Sequence, residues 1–253
     1  MFDLTGKTAL VTGGASGLGR MISEGFLRAG ARVLITSRRE AREAAEVMSP
    51  LGDCIGIASS LADGPAFDDL QKEIERITDE LHIVVNNAGR TWGAPIDKFP
   101  DDAWPKVMST NVQAPFSVIQ RTLPLLESAA TRSDPARVIN IGSAAGIKVQ
   151  RLNAFSYGAS KAALHHLSRE LAAELASRAI TVNTVVPGYF PTKMTSHIRA
   201  DDEGMSALVQ QIPLGRLGAA SDIAGACLFL SSEFASYITG SEIRVDGGLT
   251  GCT

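Results

Sequence analysis

The chain has 253 residues, of which 45% are hydrophobic and 20% are charged, and its formal net charge is −3. This composition is ordinary for a soluble globular protein that buries a sizeable core. The sequence has no long basic run, which excludes a typical nucleic-acid-binding surface. Its three scattered cysteines favour neither a disulfide framework nor a metal site. It also lacks the run of about 18 apolar residues that a membrane-spanning helix requires. We therefore expect a cytoplasmic protein that binds no metal.

The N-terminal part combines a strand, a glycine-rich turn and a helix. Residues 8–12 (TALVT) are apolar, and the turn Gly13-Gly14-Ala15-Ser16-Gly17-Leu18-Gly19 leads into an apolar-periodic stretch that ends near Ala29. Glycines let the backbone approach a phosphate, and the start of a helix offers free N–H groups with a partial positive charge. This order predicts a dinucleotide-binding loop. The glycine spacing differs from G-x-G-x-x-G, and a plain glycine-rich turn is the alternative.

A second predicted strand, residues 32–36, ends in Ser37-Arg38-Arg39. The residue that selects between NAD and NADP is expected here, about 20 residues after the glycine loop. An acidic residue would favour NAD, whereas the planar fork of an arginine pairs well with a phosphate. Arg38 therefore predicts NADP(H) over NAD(H). The alternative is that both arginines simply begin a solvated helix, which we expect of Arg39.

Strands and helices alternate along the rest of the chain. Further strands are expected at 54–58, 82–86, 136–141, 181–186 and 243–245, and helices at 40–51, 65–79, 101–127, 156–177 and 221–230. This alternation predicts an α/β protein with a single-domain, doubly wound Rossmann fold, in which helices cover both faces of a parallel seven-stranded sheet. We expect a cofactor half at about 1–135, a catalytic and substrate half at about 136–253, and a lid at about 189–212.

Four residues of this pattern are candidates for chemistry. Tyr157 and Lys161 are four residues apart in a predicted helix, so both lie on one face about one turn apart. A nearby ammonium lowers the pKa of a tyrosine, which makes the phenol a better acid or base at neutral pH. Asn111 lies in mid-helix, where a side-chain amide can distort the helix, and Ser143 follows a predicted strand. Taken alone, Tyr157 and Lys161 are better explained as ordinary helix-surface residues and Ser143 as a turn serine. Asn111 is equally explained as a tolerated polar residue.

Together these motifs resemble the short-chain dehydrogenase/reductase family over nearly the whole chain. The resemblance rests on the loop 12–19, the strand end 86–89, the turn 187–188, and the match of Asn111, Ser143, Tyr157 and Lys161 to the family's catalytic tetrad. It implies hydride transfer between nicotinamide and a substrate carbon, with Tyr157 as general acid in reduction or base in oxidation. It also implies that Lys161 tunes Tyr157 and holds the nicotinamide ribose, that Ser143 orients the carbonyl, and that Asn111 holds a water of a proton relay.

The same resemblance implies which residues bind the cofactor. They are Gly13, Ser16, Gly17, Leu18, Gly19, Ser37, Arg38, Ser60, Leu61, Asn87, Ala88, Gly89, Tyr157, Lys161, Pro187, Gly188, Phe190 and Thr192. Two positions depart from the family pattern. Ser60-Leu61 stands where an aspartate and an apolar residue are usual, and Ala15 stands where NADP-preferring members often carry a basic residue.

Within the family, residues 187–195 and 213–216 are similar to those of 3-oxoacyl reductases, including the rhamnolipid-pathway kind. We expect a substrate site in which Ser143 lies beside a mostly apolar wall, formed by Val149, Leu152, Phe155 and Tyr189. Such a wall suits a hydrophobic ketone or an acyl thioester. Arg178 matches a carrier-protein-binding arginine of this group, although a solvated helix-end charge is the simpler interpretation. Three histidines, at positions 165, 166 and 197, have no evident partner.

Three functions are open from the sequence. The favoured one is NADPH-dependent reduction of a 3-oxoacyl or similar hydrophobic ketone. An alcohol, polyol or steroid dehydrogenase that works oxidatively would use the same tetrad. A non-catalytic dinucleotide-binding regulator is expected to have lost the tetrad, which is intact here. The family resemblance implies a homotetramer, and we expect no nucleic-acid or membrane partner.

Overall fold

The computed structural model describes residues 2–150, 152–192 and 202–252 of the chain. Its centre is a seven-stranded sheet in the order β3-β2-β1-β4-β5-β6-β7, and all neighbouring strands are parallel. The strands are β1 (Thr8–Val11), β2 (Arg32–Ser37), β3 (Cys54–Ala58), β4 (Ile83–Asn86), β5 (Ala136–Ile141), β6 (Ile180–Pro187) and β7 (Glu242–Val245). The predicted fold is therefore confirmed.

Eight α-helices occur in the described part of the chain. They are α1 (Gly17–Arg28), α2 (Ala41–Met48), α3 (Gly64–Glu75), α4 (Ala103–Met108), α5 (Ala114–Ala129), α6 (Phe155–Leu175), α7 (Asp202–Gln210) and α8 (Ala220–Ser231). None of these helices is both long enough and apolar enough to cross a bilayer. The predicted lid at 189–212 lies partly outside the described residues, and its mobility stays a prediction.

The hydrophobic core has two parts, one on each face of the sheet. Alternate residues of β1 show why, since Ala9 and Val11 pack with Phe26 of α1 in one cluster, whereas Leu10 packs with Leu126 of α5 in the other. Side chains of a strand point alternately to opposite faces. Because both faces are covered, the central strands β1, β4, β5 and β6 are buried along their whole length.

The helical region predicted at 101–127 is present and contains a π turn. Residues Ser109–Gln113 form a π turn between α4 and α5, and Asn111 lies inside it with no exposed surface. Single π turns are frequent at functional sites, where they insert a residue into an otherwise regular helix. The sequence indicated that Asn111 could distort the helix, and the π turn at Asn111 confirms this prediction.

Alanine substitutions at two helix glycines, one in α1 and one in α8, test how closely these helices pack. A Cβ built on Gly25 of α1 would lie 2.7 Å from the Cβ of Ala224 in α8, whereas a Cβ on Gly225 would meet nothing within 4 Å. We expect Gly25→Ala to lower the free energy of unfolding, because overpacking costs about 1–3 kcal/mol and exceeds the gain in helix propensity. Gly225→Ala should raise it by about 0.5–1 kcal/mol. Urea denaturation measures both, and equal stabilisation by the two substitutions would contradict the close approach of the helices.

Candidate active site

A cavity of about 880 Å³ lies along the carboxyl edge of the sheet. Parallel strands end together at this edge, so the loops that follow β1, β2, β3, β4, β5 and β6 all contribute to its wall. All the predicted cofactor-binding residues except Gly19 line the cavity. Those in the wall are Gly13, Ser16, Gly17, Leu18, Ser37, Arg38, Ser60, Leu61, Asn87, Ala88, Gly89, Tyr157, Lys161, Pro187, Gly188, Phe190 and Thr192.

The loops after β1 and β4 are tied together directly. The hydroxyl oxygen of Thr12 accepts hydrogen bonds from the backbone N–H groups of Asn87 and Ala88, both at 3.0 Å, and the Asn87 amide donates to the Thr12 carbonyl at 2.9 Å. Gly19 lies beneath this junction, where an added Cβ would be 2.3 Å from the Gly13 carbonyl oxygen. Gly19 therefore acts by close packing and does not line the cavity.

The glycine loop fits a dinucleotide phosphate. Gly13 and Gly17 have φ angles of +65° and +55°, in the left-handed region that favours glycine. Ser16 precedes α1 and makes no side-chain capping bond, so the first N–H groups of this 12-residue helix remain available to an anion. The cavity volume is also in the usual range for ligand sites, about 300–1,000 Å³.

The two arginines that follow β2 differ in their position relative to the cavity. Arg38 is exposed and lines the cavity, whereas Arg39 is exposed but is not part of the cavity wall. Ser37 and Ser60 lie in the same part of the wall, at the ends of the neighbouring strands β2 and β3. The structure thus places a guanidinium where the sequence predicts the selection between NAD and NADP.

The side-chain nitrogen and oxygen of Asn111 are both hydrogen-bonded within the protein. Its amide nitrogen donates to the Arg90 carbonyl at 2.8 Å and to the Ser160 hydroxyl at 2.9 Å, and its oxygen accepts from the Arg90 N–H at 2.8 Å. These bonds hold the loop after β4 against the start of α6. Asn111 lies behind the cavity wall and has both amide protons committed.

Tyr157 and Ser143 meet at the inner end of the cavity. Tyr157 lies in the first turn of α6, and Ser143 follows β5 directly. The hydroxyl of Tyr157 is hydrogen-bonded to the Ser143 side chain, whose oxygen also accepts the Ala145 N–H at 3.1 Å. Burial raises the pKa of Tyr157 above its usual value, and the bond from Ser143 opposes this effect.

Lys161 lies one turn after Tyr157 on the same face of α6. Its ammonium is 5.8 Å from the centre of the Tyr157 ring and donates to the Ile141 carbonyl at 2.7 Å. Burial lowers the pKa of Lys161 from 10.5 to about 8. In the protein without cofactor, burial dominates the pKa of both groups, and the tuning of Tyr157 by Lys161 stays a prediction.

Comparison with known proteins gives the family. Residues 13–250 match the family model described as enoyl-(acyl carrier protein) reductase. The chain belongs to the short-chain dehydrogenase/reductase family. It is 45% identical over 249 residues to the rhamnolipids biosynthesis 3-oxoacyl-[acyl-carrier-protein] reductase of Pseudomonas aeruginosa, covering 98% of this chain and 97% of that protein. It is 36% identical to the 3-oxoacyl-[acyl-carrier-protein] reductase FabG of Salmonella typhimurium, covering 96% and 97%.

Solved structures agree with this assignment. The Pseudomonas aeruginosa RhlG/NADP active-site complex superposes with a TM-score of 0.96 at 44% identity, covering 98% of each chain. A gluconate 5-dehydrogenase from Burkholderia cenocepacia, solved with NADP and tartrate, superposes with a TM-score of 0.91 at 30% identity, covering 100% and 98%. As a short-chain dehydrogenase/reductase, the protein is an oxidoreductase.

The predicted substrate wall is less uniform in the structure. Val149 is 86% exposed, Leu152 and Phe155 are about two-fifths exposed, and Tyr189 is buried in a separate apolar cluster. These four residues are not among those that line the cavity. Phe155 instead packs edge-to-face on Phe99 with ring centres 5.5 Å apart. Their contact with substrate stays a prediction.

The cavity wall also contains residues that sequence reasoning missed. They are Thr36, Ser59, Ala62, Arg90, Pro105, Lys106, Ser109, Thr110, Ile141 and Gly142. Those adjoining the predicted strand ends could have been found from their position in the chain. The residues at 105–110 could not have been found in this way, because they line the cavity only as a result of how α4 and the π turn pack against the rest of the protein.

Other predicted positions lie away from the cavity. Arg178 forms an ion pair with Glu127 at 3.0 Å, and both side chains are about two-fifths exposed. His166 is exposed beside Glu170, and His197 lies outside the described residues. The ion pair of Arg178 agrees with the simpler interpretation of a surface charge.

The buried Lys161 gives a pH-dependent stability. The unfolded chain binds this proton more tightly than the folded chain, so wild-type stability rises as the pH increases from about 8 to 10.5. Lys161→Met removes the penalty for burying the charge. We expect the cofactor-free variant to be the more stable protein at pH 7, with a difference that shrinks across this pH range. Denaturant titrations at several pH values measure the difference, and a constant gap would contradict the lowered pKa.

Proposed function

We propose that the protein is an NADP(H)-dependent reductase of 3-oxoacyl thioesters or similar hydrophobic ketones. The observation that carries the proposal is one continuous cavity with Arg38 in its wall at the β2 end and Ser143 and Tyr157 at its inner end. The relatives named as 3-oxoacyl reductases, and the similarity to the RhlG/NADP complex, support the substrate class and the cofactor.

The residues at the inner end have complementary tasks in this proposal. Bound NADPH supplies the hydride. Ser143 donates a hydrogen bond to the substrate carbonyl and orients it, while Tyr157 donates the proton that the developing alkoxide requires. The buried Lys161 holds the nicotinamide ribose, and its ammonium favours the phenolate left after proton transfer. In oxidation, Tyr157 takes the proton back.

Asn111 has a more restricted role than the family resemblance alone implies. Both of its amide protons are bound by Arg90 and Ser160, so a water of the proton relay could use only the remaining capacity of its oxygen or the carbonyl groups of the π turn. We propose that Asn111 acts chiefly by shaping this turn beside Lys161.

A second candidate is a polyol dehydrogenase that works oxidatively. The similarity to the Burkholderia cenocepacia gluconate 5-dehydrogenase favours it, because the same tetrad serves both directions. The exposed apolar side chains near α6, Val149, Leu152 and Phe155, favour a hydrophobic ketone instead. Comparing turnover of an acetoacetyl thioester with NADPH and of gluconate with NADP⁺ separates the two candidates.

The proposal includes a cytoplasmic homotetramer. The family resemblance supports the assembly, and so do the exposed aromatic residues Phe116 on α5 and Phe234 and Tyr237 before β7. The free cysteines Cys54, Cys227 and Cys252 favour a reducing compartment.

Arg38→Ala tests the choice of cofactor. Losing a charge-assisted contact to the 2′-phosphate should weaken NADPH binding about tenfold or more and leave NADH binding unchanged. Arg39→Ala is the matched control, because Arg39 is exposed and lies outside the cavity wall. Fluorescence titration of both nucleotides measures the effect. NADH binding equal to or tighter than that of NADPH, untouched by Arg38→Ala, would contradict NADP selection.

Tyr157→Phe tests the chemistry. Without the proton donor, kcat for an acetoacetyl thioester should fall about 10²–10⁴-fold, whereas the affinity for NADPH should change little because the ring remains. Steady-state kinetics and NADPH titration measure the two quantities. Turnover that survives the substitution unchanged would exclude Tyr157 as the general acid.

A further inference from the structure

The sequence offers no partner for His165, but the structure provides two. His165 lies one turn after Lys161 and two turns after Tyr157 on α6, and only 3% of it is exposed. Its Nε2 atom accepts a hydrogen bond from the backbone N–H of Ser143 at 3.3 Å. Its Nδ1 atom lies 3.5 Å from a carboxylate oxygen of Glu242, in β7. A buried imidazole thus links the catalytic serine to the last strand.

The loop that carries Ser143 lies directly on this imidazole. A Cβ added to Gly142 would be 2.2 Å from Nε2 of His165, and one added to Gly146 would be 3.0 Å from its Cε1 atom. Real Cβ atoms are not found at the shorter distance, so the loop approaches the ring because residue 142 lacks a side chain. The position of the ring and the path of the loop therefore depend on each other.

The contacts also define the tautomer of the ring. Nε2 can accept the Ser143 N–H only if it carries no proton, so the neutral ring has its proton on Nδ1, facing Glu242. Burial lowers the pKa of His165, Lys161 and Arg169 add to the lowering, and Glu242 opposes it. Glu242 in turn pairs with Arg169.

We propose that His165 is a positioning residue that holds the Ser143 backbone, and through it the Ser143 hydroxyl, in the orientation needed for carbonyl reduction, with Glu242 selecting the tautomer that accepts the bond. The inference rests on the proposed function, because it assigns a purpose to the placement of Ser143. Without this acceptor, the buried N–H of Ser143 would have no partner, and the loop would move to find one.

Two substitutions of His165 distinguish the loss of its hydrogen-bond acceptor from a change in side-chain volume. His165→Leu puts an apolar side chain of similar size in place of the imidazole and removes the acceptor for the Ser143 N–H. His165→Gln places an amide oxygen near the position of the histidine Nε2 atom and restores an acceptor for the Ser143 N–H. We expect His165→Leu to lower kcat for an acetoacetyl N-acetylcysteamine thioester about 10–100-fold with NADPH affinity within twofold of wild type, and His165→Gln to recover most of the loss. His166→Leu, at the exposed neighbouring histidine, should leave kcat unchanged.

The outcomes are distinguishable. Unchanged kcat in His165→Leu would overturn the inference, and so would equal loss in the Leu and Gln variants. Unchanged kcat in Tyr157→Phe would instead overturn the proposed function. If His165→Leu does not fold, ¹⁵N NMR of the wild-type histidines decides independently. An unprotonated Nε2 with a protonated Nδ1 supports the inference, whereas a protonated Nε2 overturns it.

Discussion

The hydrogen bonds between Thr12 and the Asn87–Ala88 backbone are the constraint on which the cofactor end of the cavity depends. They join the loops after β1 and β4, the two strands between which the chain reverses its direction of progress across the sheet. In a doubly wound sheet this reversal opens a crevice, because consecutive loops diverge to opposite sides. Gly13 and Gly19 allow the loops to approach within contact distance. The proposed phosphate site therefore depends on backbone proximity more than on any single side chain.

The catalytic end depends on helix α6 in a comparable way. Tyr157, Lys161 and His165 follow one another at intervals of a single turn and lie on the side of α6 that faces β5 and its loop. Each has a separate partner there, namely the Ser143 hydroxyl, the Ile141 carbonyl and the Ser143 N–H. One rigid helix thus places the proposed proton donor Tyr157, the ammonium of Lys161 and the imidazole of His165 against the end of β5.

Local sequence patterns predicted the parts of the site that depend on local rules. The strands, the glycine loop, the arginine after β2 and the Tyr157–Lys161 spacing all follow from periodicity and from the geometry of a strand or helix. The helical region at 101–127 was predicted, but the partners of Asn111 were not, because its amide binds Arg90 and Ser160, which lie 21 and 49 residues away. The cavity residues at 105–110 were missed for the same reason, since packing of α4 brings them to the edge of the sheet.

By itself, the sequence determined the fold, the loops that line the cavity and the candidate catalytic residues, because strand and helix periods and glycine backbone freedom are properties of short segments. Only the tertiary structure decided how these groups are tuned. Burial, which depends on the whole chain, raises the pKa of Tyr157 and lowers that of Lys161. The partners of Asn111 and His165 likewise come from distant segments, and an apparently unpartnered histidine becomes a support of Ser143 only when β5, α6 and β7 pack together.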